Sequence, residues 1–367
     1  MKIARAIIEN FRHIKRLELD FTDSLGRVRD VAVIIGPNAS GKTTILDALA
    51  VSIGLSTELI YGRPGFTLSP RTIVAKGSLQ TKVTCWVKFS PDEISATREL
   101  FRIAEETWEV PDVDEVELTW TYPDPNNRSI YGFTRYKPSR AWTLFKGRVK
   151  VARLLSTARV GWDWFQRVGG IFTFDQERAG MGRTIPREIW EIIQGQSVGG
   201  EAAGNERRTT DPKTILLALA VQSLLPPSSG LLQLDQFKLI QERYAQVCAP
   251  RRLVGAIRDD LGTPDLRFND GTYDYWYDGL SSGEQMLLLF LIRMVSENVH
   301  RSIVLVDEVE LHQHPIWQRK LLHLLPRMGE SNQIIATTHS PYLRDVTPPE
   351  AVIELGEILE PVSAGAL

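Results

Sequence analysis

One stretch decides the fold of this 367-residue chain: Gly36-Pro37-Asn38-Ala39-Ser40-Gly41-Lys42-Thr43. It fits G-x-x-x-x-G-K-[ST], the pattern of a phosphate-binding loop, at every position. Glycines at both ends let the backbone wrap without Cβ clashes, so its N–H groups converge on an anion. Lys42 supplies a positive charge for the β- and γ-phosphates, and Thr43 a hydroxyl for Mg²⁺. The predicted nucleotide-binding residues therefore run from Gly36 to Thr44.

The residues on either side of this loop suit the motif. Residues 30–35 form an apolar, β-branched run that is typical of a buried strand, and residues 45–51 have a helical pattern. A helix that begins at the loop adds its positive dipole end to the anion site. Strand, glycine loop and helix predict a P-loop nucleotide-binding fold of α/β class, rather than a glycine-rich turn that binds nothing.

The composition favours a globular protein in a reducing compartment. Hydrophobic residues make up 43% of the chain, and no apolar run reaches the length of a membrane span. The N-terminus opens directly into a strand pattern, so no signal peptide is predicted. Cys85 and Cys248 lie far apart and form no C-x-x-C pair. A cytoplasmic protein without disulfides, cysteine zinc sites or membrane contact is therefore expected.

Charge is uneven in the middle of the chain, although the net charge is only −2. Residues 91–125 hold eleven Asp or Glu against two Arg, and residues 135–167 hold nine Lys or Arg against one acid. In one interpretation the basic stretch is solvated or pairs with the acidic one. In the other it binds nucleic acid or a partner, with its interleaved aromatic residues stacking on bases.

Two acids follow a second apolar strand, at residues 303–306. In a nucleotide-hydrolysis site the first, Asp307, holds the Mg²⁺ water shell, and the second, Glu308, polarises the attacking water. His339 follows another apolar strand, where it would contact the γ-phosphate and the attacking water. His312 and His314 are two residues apart, but they read as a loop near the nucleotide better than as metal ligands.

A helix start precedes the strand at residues 303–306 by about twenty residues. In Leu280-Ser281-Ser282-Gly283-Glu284-Gln285, Ser281 is a good N-cap and Glu284 occupies the capping-box position. The stretch is therefore either a helix start only or an anion site built from a serine, a glycine and free N–H groups. The order of the motifs favours the anion site.

Together these residues resemble the soluble branch of ABC-type ATPases, which includes SMC, RecF-like and OLD-like proteins. The opening Glu9-Asn10-Phe11-Arg12 is similar to the NF(R/K) opening of that branch, and residues 280–285 are similar to its LS-x-GE-Q signature. Residues 307–315 are similar to the DEPE-x-x-LHP pattern of OLD-like ATPases, with Val309 in place of proline. The resemblance covers residues 1–54 and 275–345.

The resemblance implies a P-loop NTPase of ABC type with an antiparallel β subdomain and a helical insertion. Residues 1–60 and 265–367 would form the ATPase core, together with a glutamine-loop segment at 171–178. Residues 61–170 would be an inserted mixed β/α region. Residues 179–264 would be a helical lobe that leads to the signature.

The resemblance also implies a mechanism. Two copies would pair head to tail and sandwich two ATP molecules with Mg²⁺, so that Ser281 and Gly283 reach the γ-phosphate of the partner's ATP. Glu308 would be the general base and His339 the switch histidine. Gln176 would sense the Mg²⁺ held by Thr43 and Asp307, and Arg12 would approach the phosphates.

Two features of the family are missing from this sequence, and their absence limits which classes of ATPase it can resemble. The sequence has no long coiled coil, and too few residues follow position 345 for the Toprim nuclease of OLD proteins. The leading hypothesis is thus an ATPase that senses or controls a separate effector, a nuclease or toxin, in prokaryotic anti-phage defence. The alternatives are a RecF-like repair ATPase that binds DNA through residues 135–167, or a scaffold that binds ATP with little turnover. A transporter subunit fits less well, because the middle region is longer than the usual helical lobe.

Overall fold

The computed structural model describes residues 1–57, 69–126, 128–175, 212–223, 235–258, 262, 264–310 and 315–356. Its strands are β1 (Lys2–Phe11), β2 (Ile14–Asp20), β3 (Val31–Ile35), β4 (Thr81–Lys88), β5 (Glu115–Tyr122), β6 (Phe133–Lys137), β7 (Ile171–Phe174), β8 (Arg252–Arg258), β9 (Pro264–Asn269), β10 (Asp274–Trp276), β11 (Ile303–Val306), β12 (Gln333–Thr338) and β13 (Val352–Glu354). Its α-helices are α1 (Lys42–Thr57), α2 (Pro70–Ile73), α3 (Pro91–Ile103), α4 (Gly147–Ser156), α5 (Pro212–Ser223), α6 (Gln236–Cys248), α7 (Ser282–Ser296), α8 (Pro315–Leu324) and α9 (Pro341–Val346).

A five-stranded parallel sheet in the order β13-β3-β12-β11-β7 lies at the centre. Its strands are apolar at nearly every position because both faces are covered. Side chains alternate between the faces: in β11, Ile303 and Leu305 belong to one buried cluster, and Val304 and Val306 to another. The sheet therefore joins two hydrophobic cores into one molecule.

One face of the parallel sheet packs against α1 and a five-stranded antiparallel sheet in the order β2-β1-β4-β5-β6. The other face packs against α5, α6 and α7, and a small antiparallel sheet of order β10-β9-β8 lies beside these helices. No helix among the described residues is long and apolar enough to cross a membrane.

The predicted fold class, a P-loop α/β protein with an antiparallel β subdomain, is confirmed. β1 pairs with β4 from Lys2↔Lys88 to Glu9↔Lys82, so the antiparallel sheet takes strands from both sides of the predicted boundary at residue 60. The division of the chain at residues 60, 170 and 264 stays a prediction. Most of the predicted helical lobe, residues 179–264, lies outside the described residues.

The acidic and basic stretches pair with each other in the fold. Five of the nine cations in residues 135–167 form ion pairs with acids of residues 91–125: Lys137–Glu117, Arg140–Glu109, Lys150–Glu106, Arg159–Glu105 and Arg167–Glu99. Lys146 and Arg148 are buried and donate to backbone carbonyls of Ser56 and Glu297. This internal pairing favours the first interpretation of the basic stretch and leaves it little charge for nucleic acid.

Candidate nucleotide site

The predicted motifs meet at one edge of the parallel sheet. The phosphate-binding loop follows β3, His339 follows β12, and Asp307 follows β11, and these three strands are neighbours. Because parallel strands all end at the same edge, residues that are far apart in sequence come together there. This edge is where ligands bind in open α/β sheets.

The loop itself has the backbone of an anion cradle. Ala39 and Gly41 both have positive φ angles, 63° and 89°. Such angles turn successive N–H groups toward one point. A Cβ at Gly41 would lie 2.6 Å from Nε2 of His13, and one at Gly36 would lie 2.6 Å from Oγ of Ser40. The positive φ of Gly41 therefore favours glycine there, whereas a side chain at Gly36 would require the Ser40 hydroxyl to move.

Two side chains of the loop fit a bound phosphate. Lys42 Nζ donates to the carbonyl oxygens of Gly36 and Pro37, each at 2.8 Å, which holds the ammonium across the cradle. Ser40 Oγ is buried and has no hydrogen-bond partner in the described part of the chain. A buried hydroxyl without a partner is costly, and a phosphate oxygen would satisfy it.

Hard oxygen donors converge beside the loop. Thr43 Oγ1 lies 3.0 and 2.9 Å from the two carboxylate oxygens of Asp307, which is almost fully buried. Thr337 Oγ1 also donates to Asp307 Oδ1, at 2.7 Å, and helps to fix the carboxylate. A hydroxyl and a carboxylate next to phosphate oxygens are the donors that Mg²⁺ prefers.

Glu308 is held in a strained backbone conformation with a φ of 47°. Its N–H donates to Thr337 Oγ1 at 2.9 Å, so one threonine fixes both acids. Non-glycine residues with positive φ concentrate at functional sites, where the surrounding structure holds them in place. No motif marked Thr337 in advance; its place next to Asp307 follows only from the pairing of β11 with β12.

His339 lies across a cleft of about 460 Å³ from Gly36, Pro37 and Asn38. Glu310 orients His339 through two contacts. Glu310 Oε1 accepts from the backbone N–H of His339 at 2.8 Å and lies 3.2 Å from the imidazole Nδ1. The His339 side chain is 44% exposed and lines the cleft, so a ligand in the cleft can reach it. Glu310 was not predicted as a site residue, and its spacing from His339 carries no motif.

Arg12 and Gln176 are also predicted near the nucleotide, and the described residues place only Arg12. Arg12 reaches the loop helix, where its guanidinium pairs with the buried carboxylate of Asp47 at 2.6 Å. Its contact with phosphates stays a prediction. Gln176 lies outside the described residues, as do His312 and His314.

The signature forms a capping box at the start of α7. Ser281 Oγ accepts from the Glu284 N–H at 3.3 Å and donates to Glu284 Oε2 at 2.7 Å, while Gly283 lies in the buried first turn. Glu284 also accepts from Tyr244 Oη at 2.8 Å and pairs with Arg251 at 3.1 Å. The predicted helix start is therefore tied to α6 and to the start of β8.

Glu284 is charged although it is only 2% exposed. Burial acts to raise the pKa of Glu284, but hydrogen bonds from Ser281 and Tyr244 and the charge of Arg251 outweigh burial. The pKa is therefore held below its ordinary value near 4.5. Burial, and after it the same carboxylate, raise the pKa of Tyr275, which donates to Glu284 at 3.2 Å, to about 12.

This depressed pKa predicts an acid-dependent contribution to stability. A carboxylate with a lowered folded pKa stabilises the protein above its unfolded pKa, and the contribution is lost as the pH falls through the folded value. We expect Glu284→Gln to lower the free energy of unfolding by ~2 kcal/mol near neutral pH, since hydrogen bonds to a charged group are lost. Urea unfolding of both proteins should show the difference shrinking below about pH 4. A difference that is constant with pH would contradict the assignment.

Two family models match the sequence. The model described as "AAA ATPase domain" matches residues 1–97, and the model described as "AAA domain, putative AbiEii toxin, Type IV TA system" matches residues 220–345. The two matches contain the phosphate-binding loop, the signature, Asp307 and His339.

Curated relatives match shorter parts of the chain. Septu protein PtuA of Bacillus thuringiensis is 27% identical over 137 residues, which cover 34% of this chain and 34% of that protein. DNA replication and repair protein RecF of Mannheimia succiniciproducens is 37% identical over 79 residues, 19% of this chain and 20% of that protein. The chain thus spans about a third or less of the length of these relatives.

A solved structure shares the fold over most of the chain. The SmcHead in its complex with the C-winged helix domain of ScpA has a TM-score of 0.52 at 14% sequence identity, covering 98% of this chain and 96% of that one. The resemblance to SMC/RecF-like ATPases is therefore supported in two ways: two AAA ATPase family models match parts of the sequence, and the SMC head shares the fold. Such ATPases bind a nucleotide with a divalent metal.

Proposed function

We propose that this protein binds ATP with Mg²⁺ and hydrolyses it to ADP and phosphate. The observation that carries the proposal is the convergence of Thr43, Asp307 and Thr337 beside the phosphate-binding loop. A loop that only held a phosphate would not need a buried carboxylate fixed by two hydroxyls at its end. Glu308 and His339 then flank the position of the γ-phosphate.

In the proposed mechanism each group has one role. The loop N–H groups and Lys42 bind the phosphates, and Thr43 and Asp307 hold Mg²⁺, which neutralises charge on the phosphates when bound. Glu308 accepts a proton from the attacking water. His339, oriented by Glu310, donates a hydrogen bond to an oxygen of the γ-phosphate.

We further propose that turnover requires a second copy of the chain. Ser281 is exposed at the N-terminus of α7, where the positive end of the helix dipole suits a phosphate. In a head-to-tail pair, Ser281 and Gly283 would complete the site of the partner copy. ATP would then join the two copies, and hydrolysis would release them.

The setting of this cycle is proposed to be prokaryotic anti-phage defence, with a separate effector as the partner. The similarity to Septu protein PtuA and to a family model described by a toxin system supports this setting. The similarity to RecF supports the alternative, a repair ATPase that binds DNA. The ion pairs within residues 91–167 weigh against DNA binding through the basic stretch.

A comparison of two surface substitutions tests the proposed pairing. Ser281→Arg places a long cation at the signature and should reduce both phosphate release and the ATP-dependent doubling of mass at least ~10-fold, since the interface cannot close. ATP binding by the single chain should be unchanged. Ser156→Arg, at an exposed position on α4, is the matched control. Light scattering and phosphate release measure both effects; a Ser281→Arg protein that still dimerises and turns over would contradict the pairing.

A second substitution tests the metal end of the site. Thr337→Val keeps the side-chain shape but removes the hydroxyl that binds Asp307 and the Glu308 N–H. We expect the Mg²⁺ concentration for half-maximal turnover to rise about 10-fold, because a hydrogen bond to a buried charge contributes ~1.5 kcal/mol or more. Thr337→Ser, which keeps the hydroxyl, should behave like the wild type. An unchanged Mg²⁺ dependence in Thr337→Val would show that Asp307 does not need this support.

A further inference from the structure

The chain has a second cleft, of about 530 Å³, on the outer side of α8. A basic stripe lies along it, which we define as Arg319, Lys320, His323 and Arg327. Together with Ile316, these residues recur every three or four positions, so they share one face of α8 and the turn that follows it. The opposite face of the helix, with Leu321 and Leu322, is buried in the core, as is Leu325 in the turn that follows.

The basic stripe differs from the rest of the surface in its charge balance. Residues 311–329 contain no Asp or Glu. Across the part of the chain that the structure describes, no acid forms an ion pair with Arg319, Lys320 or Arg327. By contrast, the exposed cations of residues 135–167 mostly have acidic neighbours, for example Arg140–Glu109 and Arg167–Glu99. A stripe of cations without acids creates a local positive potential in a protein of net charge −2.

Apolar side chains lie within the same cleft. Ile316 is 55% exposed and Tyr342, from α9, is 38% exposed, and Leu324 contributes to the lining. A nucleic-acid backbone would neutralise the cations but would leave the aliphatic side chain of Ile316 in water. A protein segment that carries both acids and apolar residues uses both parts of the cleft.

The cleft is connected to the nucleotide motifs through the helix that forms it. Gln318, on the buried side of α8, lies against the Glu310 carbonyl at 3.4 Å and the Ser340 hydroxyl at 3.5 Å. Trp317 packs under the Arg251 guanidinium at 5.5 Å, and Arg251 pairs with Glu284 of the signature. A ligand on α8 would therefore contact a helix that touches Glu310 and Ser340 directly and reaches the signature through Arg251.

We infer that this cleft is the docking site for an acidic, partly apolar segment of a partner protein. The stripe from Ile316 to Arg327 is ~16 Å long, which matches about three turns of a helix. Asp or Glu side chains of the segment pair with Arg319, Lys320 and Arg327, and an apolar side chain packs on Ile316 and Tyr342. This cleft would be where the effector of the proposed function binds, and the inference rests on the proposed function only in the identity of that partner.

The test uses displayed random peptides of about 12 residues, a length that covers the stripe. The full chain is the target, without ATP, so the result does not depend on nucleotide binding or turnover. The comparison is with a triple variant, Arg319→Glu, Lys320→Glu and Arg327→Glu. A matched control carries three reversals at exposed positions elsewhere: Arg71→Glu, Lys76→Glu and Lys238→Glu. ATP turnover of each variant is measured separately.

We expect the selected peptides to be rich in Asp or Glu with apolar residues between them. Their binding should fall at least ~10-fold in the stripe variant and stay unchanged in the control. A single substitution, Ile316→Ser, should weaken these peptides but not oligoglutamate. Failure to select peptides, selection without acids, or equal binding to the stripe variant would overturn the inference.

Two further outcomes would replace the inference with another. A DNA duplex of about 20 base pairs that binds the wild type, with an affinity that falls steeply from about 50 to 200 mM salt and is lost in the stripe variant, would make the cleft a nucleic-acid site. Loss of ATP-dependent dimerisation in the stripe variant would make it an interface between copies of this chain. Either result leaves the proposed ATP hydrolysis standing, just as loss of hydrolysis leaves peptide binding standing.

Discussion

Glu308→Gln is expected to slow ATP hydrolysis at least ~100-fold, because a positioned general base contributes about 10² to 10⁴ in rate. Glutamine has the same length and shape but cannot accept the proton of the attacking water. The backbone of residue 308 should stay in place, since its N–H donates to the hydroxyl of Thr337 in the neighbouring strand β12. ATP affinity should therefore change little, and phosphate release under single-turnover conditions measures the loss.

The same variant separates an enzyme from a scaffold. If hydrolysis releases the paired copies, Glu308→Gln should accumulate a dimer that persists in ATP and Mg²⁺. Glu330→Gln, at an exposed position outside the nucleotide motifs, is the matched control and should behave like the wild type. Equal turnover in Glu308→Gln and the wild type would make the chain a scaffold that binds ATP without using this base.

The motifs on the parallel strands could be predicted because their signals are local. An apolar run followed by a glycine loop or by two acids is visible within ten residues, and the common edge of a parallel sheet then brings the runs together. The parallel order of the strands places Asp307 beside Thr43 across 264 residues of sequence.

The supporting residues could not be predicted, because their partners are set by register. Thr337 and Thr338 are adjacent and chemically equal, and only the alternation along β12 decides which one faces Asp307. Glu310 meets His339 across 29 residues with no fixed spacing. His13 lies against Gly41 only because the β1–β2 turn folds over the loop.

The ion pairs between the acidic and basic stretches could not be predicted either, because they also depend on how distant segments pair. Composition indicated an acidic stretch and a basic stretch but not whether they face each other. The pairing of β5 with β6 and the packing of α3 on α4 bring Glu117 to Lys137 and Glu106 to Lys150. The strand β8 was also missed, since Gly255 and a register shift interrupt its alternation.

Lys42→Ala is expected to reduce the affinity for ATP at least ~100-fold. The substitution removes a charge-assisted hydrogen bond between the phosphate-binding loop and the phosphates. The wild type should be stabilised by ATP, by about 2.7 kcal/mol at a ligand concentration of 100 Kd, and the variant should show almost no shift in thermal unfolding. In the wild type, Nζ also holds the carbonyls of Gly36 and Pro37. The variant should therefore be slightly less stable than the wild type even without nucleotide.

The exposed residue Lys238, on α6, gives the control for this loss of charge. Lys238→Ala should keep both the ATP-dependent shift and the stability without nucleotide. Lys42→Arg should lose ATP binding as Lys42→Ala does. A planar guanidinium cannot replace an ammonium that donates to two carbonyl oxygens at 2.8 Å. If Lys42→Ala kept an ATP affinity within about 3-fold of the wild type, the loop would not be the phosphate site, and the roles assigned to Asp307, Glu308 and His339 would lose their common substrate.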